Sequence, residues 1–134
     1  MKLYKNFNIS KNHKGSIILI GNFDGIHLGH QKLFELARKY KKNFNLHVGV
    51  LTFEPMPKMF FNKNFKNFRI SNINQKKIIL DHLGVDFIIT KKFDKKFSAI
   101  KSEFFIKEIL SKKLDFIAEN FLSNFLVIIK STPK

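Results

Sequence analysis

Gly21-Asn22-Phe23-Asp24-Gly25-Ile26-His27-Leu28-Gly29-His30 is the stretch whose reading decides the fold. Just before it, Ser16-Ile17-Ile18-Leu19-Ile20 is a short apolar, β-branched run, the kind that fills a strand buried on both faces. Just after it, Leu33, Leu36, Ala37 and Tyr40 recur at i, i+3, i+4 and i+7 and predict an amphipathic helix from Leu28 to Lys42. A strand that breaks at a glycine-rich turn and restarts as a helix aims backbone N–H groups and a positive dipole end at one spot. That geometry suits an anion, phosphate above all. His27 and His30 stand at i and i+3 of the helix entry, so both can face the same ligand.

Outward from this corner the chain alternates. Leu46 to Phe53 reads as a second buried strand, stopped by Glu54-Pro55-Met56-Pro57, where each proline removes a ladder donor. Lys58 to Asn67 is a loop in which Phe60, Phe61 and Phe65 stand among cations; they either tuck into the core or line a ligand site. Ser71 is placed to cap a helix running to Leu83, with Ile78, Ile79 and Leu83 facing inward and Gly84 as its C-terminal stop. Val85 to Thr90 is a third strand, and Ser98 or Ser102 opens a helix bearing Phe105, Ile106, Ile109 and Leu110. Phe116 to Ala118 and Phe125 to Ile129 are short strand candidates, and Met1 to Lys14 is an edge strand or a lead-in. Strands alternating with helices predict an α/β fold around a parallel sheet with right-handed crossovers.

Composition bounds the function classes. At 134 residues and 44% hydrophobic, the chain suits one globular domain rather than disorder. With no cysteine, a disulfide scaffold and a thiolate zinc site are both excluded. No apolar run approaches the roughly 20 residues of a membrane span. Met1 to Lys14 lacks the apolar core of a secretory signal, so a cytoplasmic protein without membrane contact is expected. The net charge of +15 favours polyanionic partners, but the lysines are scattered through a Lys-, Asn-, Ile- and Phe-rich composition. Charge therefore sets the sign of a partner and nothing more.

With these residues in hand, the chain resembles the FMN adenylyltransferase module of the bacterial bifunctional riboflavin kinase/FAD synthetase family, within the HxGH nucleotidyltransferase superfamily. The resemblance is carried by Gly21 to His30, by Thr52-Phe53-Glu54-Pro55-Met56-Pro57, and by Arg69-Ile70-Ser71 ahead of Leu83-Gly84-Val85-Asp86. Phe93 to Phe97, Ser102-Glu103-Phe104-Phe105 and Glu119-Asn120-Phe121 complete it, so it runs from about Ser16 to Phe121. HxGH alone is a weak motif; set in G-N-F-D-G-I-H-L-G-H and followed one strand later by T-F-E-P-x-P, it is specific. The resemblance implies a Rossmann-like parallel sheet flanked by helices. It also implies an activity: the phosphate of FMN attacks the α-phosphorus of ATP, giving FAD and pyrophosphate with Mg2+. His27 and His30 are then the catalytic donors to the triphosphate, and a bound phosphate favours their imidazolium form. Gly21, Gly25 and Gly29 allow close backbone approach, and Asn22, Phe23 and Asp24 complete the ATP site. Pro55, Pro57, Phe61 and Asn120 border the flavin. No metal ligand is assigned among the protein's residues.

Several positions keep two readings. Asp24 either orients a substrate or caps the helix entry, and Glu54 either holds its loop or meets Mg2+. Phe61 is either core or flavin platform. His13, His47 and His82 stand outside any motif and read as structural or solvent-facing.

The sequence also departs from the family's pattern. Met56 stands where a histidine is common, and Ala118 where a glycine is usual. After Phe121 the chain runs Leu122-Ser123-Asn124-Phe125, and Ser131-Thr132-Pro133-Lys134 is too close to be the second ATP motif. A single domain over 1–134 is therefore expected, C-terminally truncated after about 121, without the riboflavin kinase module and with impaired turnover as one outcome. Three alternatives accompany this reading. One is an HxGH transferase for another phosphorylated acceptor, such as phosphopantetheine or nicotinamide mononucleotide. Another is an inactive nucleotide-binding remnant. The last is a small basic nucleic-acid-binding protein using lysine and phenylalanine, favoured by charge but by no motif. The oligomeric state cannot be read from the sequence.

Overall fold

The apolar runs become strands of one sheet. In chain order these are β1 (Lys2–Tyr4), β2 (Ile17–Ile20), β3 (Val48–Glu54), β4 (Phe87–Lys92), β5 (Ile117–Leu122) and β6 (Leu126–Lys130). Their spatial order is β1-β4-β3-β2-β6-β5. The computed structural model describes residues 1–23, 28–55, 60–62, 72–105, 107–109, 117–122 and 126–130; for 28–29, 102, 117–122 and 126–130 it describes the backbone. β1, β4, β3 and β2 pair in parallel, as the alternation of strands and helices predicts.

β2 is buried along its whole length because both faces of the sheet are covered. Ile17 and Leu19 point to one face with Val48, Val50 and Ile88, while Ile18 and Ile20 point to the other with Leu51, Phe87 and Ile89. The first face is covered by helices α1 (Leu28–Phe44) and α2 (Ile73–His82) through Leu33, Phe34, Ala37 and Leu80. The second is covered by Phe7, Ile9 and Phe97, with Phe105 and Ile109 packed against them. Each such buried side chain contributes roughly 1.5–3 kcal/mol relative to leaving it in water.

The structure corrects several expectations. Phe34, not Leu36, completes the inner face of α1; Leu36 is 37% exposed. The residues of α2 that turn inward are Lys76 and Leu80, whereas Ile78 is 61% exposed and Ile79 is also exposed. The run Lys76 to Leu80 is apolar over more than one face, so its periodicity left the inward stripe undetermined. Asn72 caps α2, its side chain accepting the Gln75 N–H while the Gln75 side chain accepts the Asn72 N–H, each at 2.9 Å. Ser71, the expected cap, lies outside the described residues. Gly84 does end the helix, at φ +85, where an added Cβ would also press on Arg38. Ser98 closes a short helical turn, Lys95–Ser98, capped by Asp94; the next one opens at Ser102 and continues as a π-type turn. Ile106 and Leu110 lie outside the described residues.

The two C-terminal strands form, but as an antiparallel hairpin: β5 pairs with β6, and β6 runs antiparallel beside β2. The reason is length. Three residues separate β5 from β6, and a parallel return needs a crossover of about a dozen or more.

At the sheet end where β3 and β4 begin, Asp86 accepts the Val48 N–H and a Lys41 ammonium proton, both at 2.8 Å. Burial alone would raise the Asp86 pKa. The hydrogen bonds from Lys41 and Val48 and the charges of Lys41 and His47 outweigh it, holding the carboxyl below its ordinary value. A depressed folded pKa gives stability that is complete above the unfolded value of 3.8 and is lost as the pH falls through the folded one. Melting temperatures should therefore drop steeply below about pH 4. In Asp86→Asn that acid slope should be shallower and stability at neutral pH lower by about 1–3 kcal/mol. His13 belongs to the same end: its ring stacks on Phe87 at 4.3 Å and its Nδ1 meets the Tyr4 hydroxyl at 2.8 Å. Burial, and then the nearby His47, lower its pKa.

Candidate functional site

The opposite end of the sheet, where β2, β3 and β4 finish, carries the candidate site. Open α/β sheets bind ligands outside these strand ends, at the point where strand order reverses. Here that point is β2, with β3 and β4 on one side and β6 on the other. The Gly21 N–H donates to Leu51 O at 3.1 Å, carrying the β2–β3 ladder to its edge before the chain turns away. Phe23 then takes φ +48, a left-handed conformation that costs a non-glycine residue about 1–2 kcal/mol. Burial of its ring against Phe34, with centroids 5.2 Å apart, offsets that cost. The same ring meets His30 edge-on at 5.2 Å, so the strained turn orients the imidazole on the first turn of α1.

Sequence reasoning missed the cation beneath this turn. Lys76 is 8% exposed and its ammonium donates to Asn22 O at 2.5 Å. The available signal was a lysine four residues before the buried Leu80, on the stripe of α2 that faces the sheet. Asn22 Oδ1 is buried with no hydrogen-bond partner among the described residues.

One strand across, the Glu54–Pro55 peptide is cis and the Phe93 N–H donates to Glu54 O at 2.9 Å, tying the ends of β3 and β4 together. Phe93 contacts Phe53, Phe60, Phe61 and Phe97 with ring centroids 5.3–5.8 Å apart, all edge-on. Phe60 is half-buried in this cluster, while Phe61 is 70% exposed and so is not a core residue. The cluster forms an aromatic ledge beside the turn, with a phenyl ring facing water.

The expected site residues are thus partly assembled. Gly21, Asn22, Phe23 and His30 lie on one corner, Gly29 belongs to the opening turn of α1, and Pro55 and Phe61 follow the end of the neighbouring β3. Asn120 lies in β5 opposite Ile128 of β6, which itself opposes Leu19 of β2. It is therefore two strands from β2, about 10 Å, on the side away from Phe61. Asp24, Gly25, His27 and Pro57 lie outside the described residues, and with them the pairing of the two imidazoles.

A family profile described as FAD synthetase matches residues 9–120. A bifunctional riboflavin kinase/FMN adenylyltransferase of Buchnera aphidicola subsp. Schizaphis graminum is 39% identical over 116 residues, which are 86% of this chain and 37% of that protein. The Escherichia coli K12 protein of the same description is 35% identical over 101 residues, 75% of this chain and 32% of its own length. The chain thus spans about a third of the length of these curated relatives. Among solved structures, one from Streptococcus pneumoniae described as a macrolide-efflux protein superposes with a TM-score of 0.66 at 30% identity. That match covers 77% of this chain and 41% of the other. No helix among the described residues is long and apolar enough to cross a membrane.

Proposed function

We propose that this chain, which belongs to the FAD synthetase family, is an FMN adenylyltransferase domain that transfers AMP from ATP to FMN. An oxygen of the FMN phosphate forms the new bond to the α-phosphorus, the bond to the bridging oxygen breaks, and pyrophosphate departs. The observation that carries this reading is the corner at the end of β2, where a strained turn holds His30 against Phe23 at the entry to α1. No covalent intermediate is needed, so catalysis is positioning and charge stabilisation. His30, with His27, donates to the triphosphate as negative charge collects on the departing pyrophosphate. Gly21, Asn22, Phe23, Asp24, Gly25 and Gly29 form the bed for ATP. Pro55, Pro57 and the exposed Phe61 border the isoalloxazine, and Asn120 closes the flavin side from across β2.

Mg2+ enters this scheme with ATP. Among the described residues no three His, Cys, Asp or Glu side chains converge on a metal position. A magnesium ion carried by phosphates fits such a site, since it takes only one or two protein carboxylates. The proposed domain is single and acts in the cytoplasm.

A second reading, nucleotide binding without turnover, is favoured by β6, which takes the place beside β2 although it lies beyond the matched residues 9–120. Incubation of the purified chain with ATP, FMN and Mg2+, followed by chromatography for FAD, separates the two. FAD formation is the expected result. ATP binding without FAD would select the second reading, and absence of both would overturn each.

A further inference from the structure

We propose that Lys76 is a positioning residue for the polyphosphate of the substrate, holding the turn between β2 and α1 in its anion-receiving shape and placing positive charge behind it. This inference rests on the reading of that turn as the nucleotide site. Its starting point is an anomaly of burial. Lysine is almost never fully buried, yet Lys76 is 8% exposed and shares the inner stripe of α2 with Leu80 alone. Taking an ammonium out of water costs several kcal/mol, whereas an apolar side chain of the same length at this position would cost nothing. A residue chosen for packing would not be a lysine.

The direction of its hydrogen bond says what the charge accomplishes. The Lys76 ammonium reaches the Asn22 carbonyl, 54 residues away in sequence, at 2.5 Å. The Asn22–Phe23 peptide is trans, so its C=O and N–H point in opposite directions. Drawing the carbonyl inward onto Lys76 therefore turns the Phe23 N–H away from the core. The next residue is already held at φ +48, so the turn is fixed from both sides of that peptide. Charge acts in the same sense. The positive end of α1 and the buried ammonium flank one turn and repel each other, and an anion placed at the turn relieves both. The arrangement favours a ligand of high negative charge, such as a triphosphate, over a neutral nucleoside.

The test uses the full chain and inorganic tripolyphosphate, titrated calorimetrically at about 0.15 M salt so that surface charges are screened. Lys76→Met should bind about tenfold more weakly, the loss of one charged hydrogen-bonding partner. Lys39→Met removes the same charge from an exposed position of α1 and should change affinity less than about twofold. Lys76→Met should also melt at or above the wild-type temperature, because an apolar side chain replaces a buried ion. A structural role predicts the reverse. If Lys76→Met melts lower, Lys76→Arg decides: recovered tripolyphosphate binding supports the positioning role, and failure to recover it overturns the role. Equal affinities for Lys76→Met and Lys39→Met, or no binding by the wild type, would also overturn it. The FAD assay fails separately: Lys76-dependent tripolyphosphate binding without FAD leaves this inference standing and removes the transferase reading.

Discussion

Replacing His30 by alanine is expected to lower the rate of FAD formation by about two to three orders of magnitude, the cost of removing one preorganised donor from a developing anion. The loss should fall mainly on kcat, because the imidazole contributes most where charge builds on the leaving pyrophosphate. Stability should change little. His30 is half-buried, and its contact with Phe23 is one edge-on ring pair, worth about 1 kcal/mol. His82→Ala is the control: this histidine is exposed in the last turn of α2 and should leave the rate unchanged. Equal rates for His30→Ala and wild type would remove the corner at β2 from the mechanism.

The largest structural effect is expected at Gly49. In the parallel register it stands between Ile18 of β2 and Phe87 of β4, on the face of the sheet where both side chains are buried. A Cβ at this position would fall on the Phe87 ring and come within 2.8 Å of Ile18 Cδ1. Neither neighbour can give way freely, because Phe87 is also held by His13 stacked on it and by Tyr4 at its edge. Gly49→Ala should therefore cost about 3 kcal/mol through overpacking. For a chain of this size that lowers the melting temperature by roughly 10 °C. The mechanism predicts coupling as well. In a Phe87→Leu background the added methyl group has room, so the double variant should be clearly more stable than the sum of the two single costs. Strict additivity would show that the ring is not what excludes a side chain there.

Features that depend on near neighbours in the chain were legible in the amino-acid sequence. The run Ser16 to Ile20, the glycine-rich turn and the helix after it could be read without a structure, as could the stop at Gly84. Each is decided by the periodicity and backbone preferences of a few consecutive residues. The same local stretch carried the family likeness, and the candidate site grew from it. The limits of that reading are visible in α2, where adjacent isoleucines suggested an inner face that belongs to Lys76 and Leu80. They are visible again at the C-terminus, where two expected strands turned out to be a hairpin.

What only the tertiary structure decided are contacts between residues distant in sequence. Parallel register sets Gly49 beneath Phe87, strand order puts Asn120 on the far side of β2 from Phe61, and the packing of α2 brings Lys76 to Asn22. Periodicity tells which residues share a face of one element. It does not tell which element that face meets, because that is settled by how strands and helices jointly exclude water from one core.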